Sequence, residues 1–376
     1  MTLLLTGCIT TAQNDPHAFP PEVVAELQAE MDELTGSELP PGKVVWIDAP
    51  AHRFEGASGL ANLTDDTPMP PEGACRIGSI TKMFTATVIM QLAEDGVLTL
   101  DDPLAQWLPE VAAQLPYGDQ ITLRHLLAHT SGLFNVVEHE AYFADIFTDM
   151  VVDETTGNVT LDCVERDPNN TLARYVYGKE AQFAPGTQWR YSNTNYTLLG
   201  MVIETATEMP LAEAYRTHIY DPLGMSSTFL YCYEAPLIDV VHGYTGSGDA
   251  MSDVTELHES VGWSAGGLIS TAADLTSFAR GLFGGSLFDD PATLTTMTTP
   301  ASASANGLGV MLQEETMGHA GYIAGFRSVL NYAPASDTVV VMLYNHDGAD
   351  PEQSLADVLN PVLPLLNMAE RDAGKR

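Results

Sequence analysis

Residues 80–93, "ITKMFTATVIMQLA", carry apolar side chains almost all the way round a helix: Ile80, Met83, Phe84, Ala86, Val88, Ile89, Met90, Leu92 and Ala93. A helix of that kind is enclosed by protein on every side, so the fold must wrap other elements around it. Gly96 follows, a favoured residue just past a helix C-terminus. Two polar residues break the pattern at its start, Ser79 and Lys82. Positions i and i+3 share a helix face. The serine also sits at the positive end of the helix dipole, among backbone N–H groups without helical partners. A hydroxyl is a weak nucleophile until a base takes its proton. A lysine shut into apolar surroundings loses basicity, so its neutral amine can be that base. A capping serine with a snorkelling lysine is the structural alternative, and the apolar helix gives Lys82 little route to water.

Strand patterns stand on either side of a helical middle. Residues 22–35 read as an amphipathic helix closed by Gly36. "KVVWIDA" (43–49) and "HRFEGASGL" (52–60) read as a hairpin, and Cys75 lies in an apparent strand as a small buried thiol. From about 97 to 255 the pattern is mostly helical, with residues 138–171 an acidic, poorly periodic loop. Strands return in "MGHAGYIAGFRSVLNYA" and "DTVVVMLYN" after a helix at 271–283, and a last helix at 351–367 is expected to kink at Pro361 and Pro364. The fold class is therefore α+β: an antiparallel sheet flanked by N- and C-terminal helices, with an inserted mainly helical domain. The expected division is a leader and tether at 1–21, a sheet domain of 22–78 plus 256–376, and the insertion at 79–255.

Two further places carry chemistry. In "RYSNTNY", Tyr191 and Asn193 are two apart, so an extended chain aims a phenol and an amide at one place. A tyrosine beside an ammonium favours phenolate and could relay a proton; a turn after "APGT" is the structural alternative. In "GHAGYIAGF", His319 and Gly321 share a strand face. A glycine there admits a second backbone, so a substrate could add alongside the strand; a strand-end histidine and a bulge glycine are the alternative.

Taken in order, these places resemble the serine β-lactamase and penicillin-binding protein superfamily, nearest its class C branch with D-alanyl-D-alanine carboxypeptidases and related esterases of the S12 peptidase type. "RIGSITKMFTATVIMQLAEDGVLTLDDPLAQWLPE", "ITLRHLLAHTSGL", "FAPGTQWRYSNTNYTLLGMVIE", "PLGMSST" and "GWSAGGLISTAADLTSFARGL" are all similar to family segments, over about residues 40–345. The resemblance implies Ser79 as nucleophile, Lys82 as its base, Tyr191 as the catalytic tyrosine, and Asn193 as the amide that meets the substrate's side-chain carbonyl. It places His319, Ala320 and Gly321 as the third motif, K-T-G in class C β-lactamases and often H-x-G in the peptidase and esterase relatives. The implied oxyanion hole is the backbone N–H of Ser79 and of Tyr322. Whether Lys82 or Tyr191 takes the serine proton stays open, the two titrating as a coupled pair.

The chain departs from that pattern at Ala320, where threonine would help hold a substrate carboxylate, and at His319, largely neutral at pH 7 where lysine would be charged. Arg327 restores positive charge if it turns inward. The expected activity is a serine hydrolase forming an acyl-enzyme on a peptide amide or ester, with a class C-type β-lactamase and an inactive muropeptide-binding envelope protein as alternatives.

Composition narrows the partners. Fifteen basic residues against 50 acidic ones give a formal charge of −35. That repels nucleic acid and disfavours a basic patch on anionic lipid. The scattered acids are read as adaptation to a saline habitat. The expected partner is a small molecule or a peptidoglycan-derived peptide. "LTGC" at 5–8 resembles the lipobox of bacterial lipoproteins, although no basic n-region precedes it. It predicts a lipid anchor on Cys8 and a periplasm-facing location in the cell envelope, with secretion as the alternative, and residues 10–21 as a flexible tether. No later stretch reaches the roughly 18 uninterrupted apolar residues of a membrane span.

No cofactor is expected. Without a C-x-x-C spacing, zinc and thioredoxin-type readings have no support. Cys163 and Cys232 could pair outside the cytoplasm. His125 and His129, four apart on an expected helix, lack a third metal ligand. "ERDPN" (165–169) mimics the class A deacylation loop, but stands before Tyr191 rather than after the second motif, and is read as coincidence.

Overall fold

The computed structural model describes residues 17–33, 35–36, 40–142, 151–152, 159–160, 167–256, 262–301, 306–350 and 362. Seven strands form one antiparallel sheet: β1 (Gly42–Asp48), β2 (Arg53–Asn62), β3 (Thr67–Pro68), β4 (Met311–Leu312), β5 (Met317–Ile323), β6 (Phe326–Ala333) and β7 (Thr338–Tyr344). Their order is β4-β5-β6-β7-β1-β2-β3, so the N-terminal hairpin joins the C-terminal meander through β1 and β7, with Lys43 opposite Tyr344. Successive side chains of a strand point to opposite faces, and here both faces are covered. Val45, Ile47, Val340 and Met342 pack on one side with Leu27 and Met31 of helix α1 (Pro21–Glu33). Val44, Val339, Val341 and Leu343 face the main core on the other.

Helix α2 (Thr81–Glu94) runs through that core, with 11 of its 14 residues buried. The chain leaves it through Gly96 at φ +71. Helix α3 (Asn193–Thr207) lies against it. Helix α4 (Ala272–Phe283) is capped by Thr271, whose hydroxyl accepts from Asp274 N–H. Phe278 of α4 stacks on Phe84 of α2 at 3.8 Å between ring centroids. Arg280 of α4 reaches Asp48 at the end of β1, Nε to Oδ2 at 2.7 Å.

Several expectations need correction. The tether ends earlier than residue 21: Ala18 bridges Arg53, and Phe19 is buried and stacked on His52 at 4.8 Å. The 138–171 loop contains a helix from Pro168 to Tyr175, started by Asp167, whose carboxylate accepts Asn169 N–H. That accounts for the Asp167–Asn169 end of "ERDPN" as a helix start. His125 and His129 do not share a helix, because that helix spans only Leu123–Leu127 and His129 follows it at φ +56. Cys75 does pair in a short strand with Ser270, free and buried, its thiol pushed up to about 12 by burial. Cys232 is disulfide-bonded. Cys8, Cys163, Glu165 and, apart from Val362, the whole of the expected last helix at 351–367 lie outside the described residues. Among those described, no helix is long and apolar enough to cross a membrane.

Candidate active site

The site begins where the turn Gly78–Ile80 leads into α2. Gly78 takes φ +49, and a Cβ there would stand 2.8 Å from Tyr322 N. A Cβ on Gly321 would stand 2.0 Å from Ile77 O. Two glycines thus let the turn lie directly on β5. Ser328 seals the contact, its hydroxyl donating to Ile77 O at 2.8 Å. The backbones of Ser79 and Tyr322 are brought side by side by this packing.

Lys82, fully buried, directs Nζ at three oxygens: Ser79 Oγ at 2.9 Å, Asn193 Oδ1 at 2.7 Å, and Ala265 O. Burial pulls the amine well below its ordinary pKa. A neutral amine has two N–H donors and one lone pair. Nζ donates to all three oxygens; in the neutral form the two carbonyl oxygens would take both donors and the lone pair would face Ser79 Oγ. Ser79 Oγ in turn accepts from the Tyr191 hydroxyl at 2.8 Å. Phenol, hydroxyl and amine form one continuous contact centred on Ser79 Oγ.

Tyr191 and Asn193 converge as their spacing predicts, across an extended Ser192 that precedes α3. Asn135 fixes the amide: its Oδ1 accepts both Asn193 N–H, at 3.0 Å, and Nδ2–H, at 3.2 Å. Asn193 Oδ1 is left for Lys82. Asn135 was not identified from sequence; its only signal is its place just after "HTSGL". The phenolate expectation fails. Burial raises the Tyr191 phenol, and the Ser79 hydrogen bond only partly opposes this. The same dry surroundings that neutralise the amine keep the phenol protonated.

His319, buried on β5, places Nδ1 2.6 Å from the carbonyl of Ala320. A carbonyl can only accept, so Nδ1 carries a proton. Burial and the nearby Lys82 bring its pKa down to about 4. Arg327 does turn toward the cleft. Its Nε donates to Asp347 O at 2.7 Å, and its guanidinium lies 4.1 Å from the centre of the exposed Tyr322 ring.

Ser79, Tyr191, Asn193, His319, Ala320, Gly321, Tyr322 and Arg327 all line one cavity of about 870 Å3. Its remaining wall is largely apolar, with Val136, Val137, Tyr142, Trp189, Met311 and Ile323. Between residues 134 and 180, the described residues 135–137 and 142 line it. The residues singled out for acyl transfer therefore reach one place, and Cys8 lies outside the described residues. Among the described residues no group of three His, Cys, Asp or Glu side chains is placed to hold a metal.

The family model described as Beta-lactamase matches residues 41–361. The esterase EstB of Burkholderia gladioli is 33% identical over 224 residues, 58% of this chain and 55% of its own. The putative penicillin-binding protein PbpX of Bacillus subtilis is 27% identical over 293 residues, 77% of this chain and 66% of its own. The chain thus spans between half and two thirds of these relatives. Among solved structures, the D-stereospecific amidohydrolase from Streptomyces sp. superposes with a TM-score of 0.77 at 30% identity, covering 89% of this chain and 98% of its own. The D-amino acid amidase from Ochrobactrum anthropi SV3, solved with L-phenylalanine amide, gives 0.73 at 26% identity, covering 94% and 99%.

Proposed function

The chain belongs to the beta-lactamase family, and on that premise we propose that it is a serine hydrolase acting through an acyl-enzyme on an amide or ester that lacks a free carboxylate. The observation that carries this reading is the unbroken contact of Tyr191 OH, Ser79 Oγ and Lys82 Nζ. In the cycle, Ser79 Oγ attacks the substrate carbonyl as its proton passes to the Lys82 lone pair. The oxyanion forms between the Ser79 and Tyr322 N–H groups, donors of the kind that supply several kcal/mol. The Tyr191 phenol then gives its proton to the leaving amine or alcohol and is restored by the proton held on Lys82. Water enters by the reverse path, and the acid departs.

Substrate charge follows from the third motif. A substrate carboxylate would find a neutral imidazole at His319, a methyl group at Ala320, and an Arg327 whose Nε is already held by Asp347 O. An uncharged leaving group fits better. The esterase, D-amino acid amidase and amidohydrolase among the similar proteins support an amide or ester substrate.

Intact-mass spectrometry after incubation with p-nitrophenyl butyrate, with D-phenylalanine amide and with a fluorescent penicillin tests the proposal. Turnover of the first or second, with slow or no adduct from the third and nothing from Ser79→Ala, is expected. Rapid penicillin turnover with neither of the others hydrolysed overturns it.

A further inference from the structure

We propose that His129 is a positioning residue that holds the Tyr191 phenol on Ser79 by gripping the main chain on both sides of it. The inference rests on the reading of Tyr191 as part of the proton path. His129 O accepts Arg190 N–H at 3.0 Å. His129 Nδ1 accepts Ser192 N–H at 3.2 Å. The two amides that flank Tyr191 therefore both end on one residue. Between them the imidazole lies against the Tyr191 ring, with centroids 4.4 Å apart.

The clamp is itself fixed from behind. Asn195 Nδ2 donates to the same Nδ1 at 3.1 Å, and Asn195 Oδ1 accepts the Ser131 hydroxyl at 2.6 Å. That second bond sets which end of the Asn195 amide faces His129. Two donors on Nδ1 require its lone pair, so the ring is neutral with its proton on Nε2. The residue holds φ +56, a conformation that costs a non-glycine residue of the order of 1 kcal/mol or more. The strain is sustained where it brings Nδ1 and the carbonyl to bear on one strand of chain. With residues 190 and 192 bonded, the backbone is held on both sides of Tyr191, and the imidazole, tilted 33° to the phenol ring, restricts its side chain. A shift of about 1 Å at a group of this kind can cost about 10²-fold in rate.

The test is a double-mutant cycle on the second-order rate of Ser79 modification by a fluorophosphonate probe. His129→Ala is expected to slow the reaction by about 10²-fold, and the loss in ester turnover to fall on kcat rather than KM. In a Tyr191→Phe background the same change is expected to add less than about twofold. His129→Asn offers an oxygen near the place of Nδ1, tolerates positive φ, and is expected to recover most of the rate. Equal effects of His129→Ala in both backgrounds, or no effect in either, overturn the proposal. Should His129→Ala fail to fold, His129→Phe takes its place, with a ring but no acceptor.

A second readout separates this inference from the activity it rests on. In protein labelled with 3-fluorotyrosine, the 19F resonance lost in Tyr191→Phe is expected to shift or broaden in His129→Ala and to return in His129→Asn. An unchanged resonance overturns the clamp, whatever the enzyme hydrolyses. A native protein whose Ser79 stays unmodified, yet whose resonance responds to His129, keeps the clamp and removes the proposed function.

Discussion

Asn193 Oδ1 accepts an N–H of Lys82 at 2.7 Å. At this distance the choice between an amide and a carboxylate decides whether the lysine is an amine or an ammonium.

Asn193→Asp is the sharpest test of that relationship. A carboxylate of the same shape, about 3 Å from Nζ, favours the charged lysine and raises its pKa by about one to three units. The acid limb of kcat/KM for a neutral ester is expected to move to higher pH by that amount, and turnover near neutrality to fall. An unmoved limb in the pH–rate profile rules out Lys82 as the base.

The His319 imidazole links acid to stability. The unfolded ring takes a proton below its ordinary 6.5, the folded ring only below about 4. Between those values the unfolded state binds more protons, so stability falls as the pH drops through the window and levels off beneath it. A shift of that size corresponds to on the order of 3 kcal/mol. In urea titrations at about pH 7 and about pH 4.5, His319→Gln should lose markedly less stability than the native chain. Equal losses refute the assignment.

The third motif sets the charge that the cleft accepts. Converting it with His319→Lys and Ala320→Thr supplies a cation and a hydroxyl for a carboxylate. A lysine there also adds repulsion that keeps Lys82 neutral. The rate of acylation by a fluorescent penicillin is expected to rise at least about tenfold, the worth of one charge-assisted hydrogen bond. If the rate stays level in a folded variant, Ala320 and His319 are not what limits penicillin.

Gly321 holds the turn against the strand. Gly321→Ala drives a Cβ to within 2.0 Å of Ile77 O, a backbone atom that cannot swing aside. A cost of about 1–3 kcal/mol in urea unfolding is expected, with lower ester turnover in the fraction that folds. Full stability and full activity together contradict the packing described.

Much of this arrangement is legible in the sequence because it is periodic. The near-continuous apolar runs of β1 and β7 mark strands covered on both faces, and the all-round apolar run marks α2 as buried. Ser79 and Lys82 stand out against that run as the polar residues with nowhere else to go. His129 and Asn135 do not stand out. Their roles depend on bonds to residues about 60 positions later, at Ser192 and Asn193, and no local pattern encodes such a pairing. The "HTSGL" stretch reads as a helix continuing past His125, because nothing short-range announces the left-handed turn at His129. The protonation of Tyr191 is misread for a related reason. Sequence places a phenol beside an amine, but only the packed cleft shows that both are dry, and burial then outweighs their mutual attraction.

The pairing of β1 with β7 sets a schedule for synthesis. A ribosome delivers the hydroxyl, the amine and the phenol well before it delivers residues 338–344, and until those residues arrive the early hairpin has no inner neighbour. A contact spanning some 300 positions forms late. The nascent polypeptide therefore carries Ser79, Lys82 and Tyr191 as an unassembled kit until residues 338–344 have emerged.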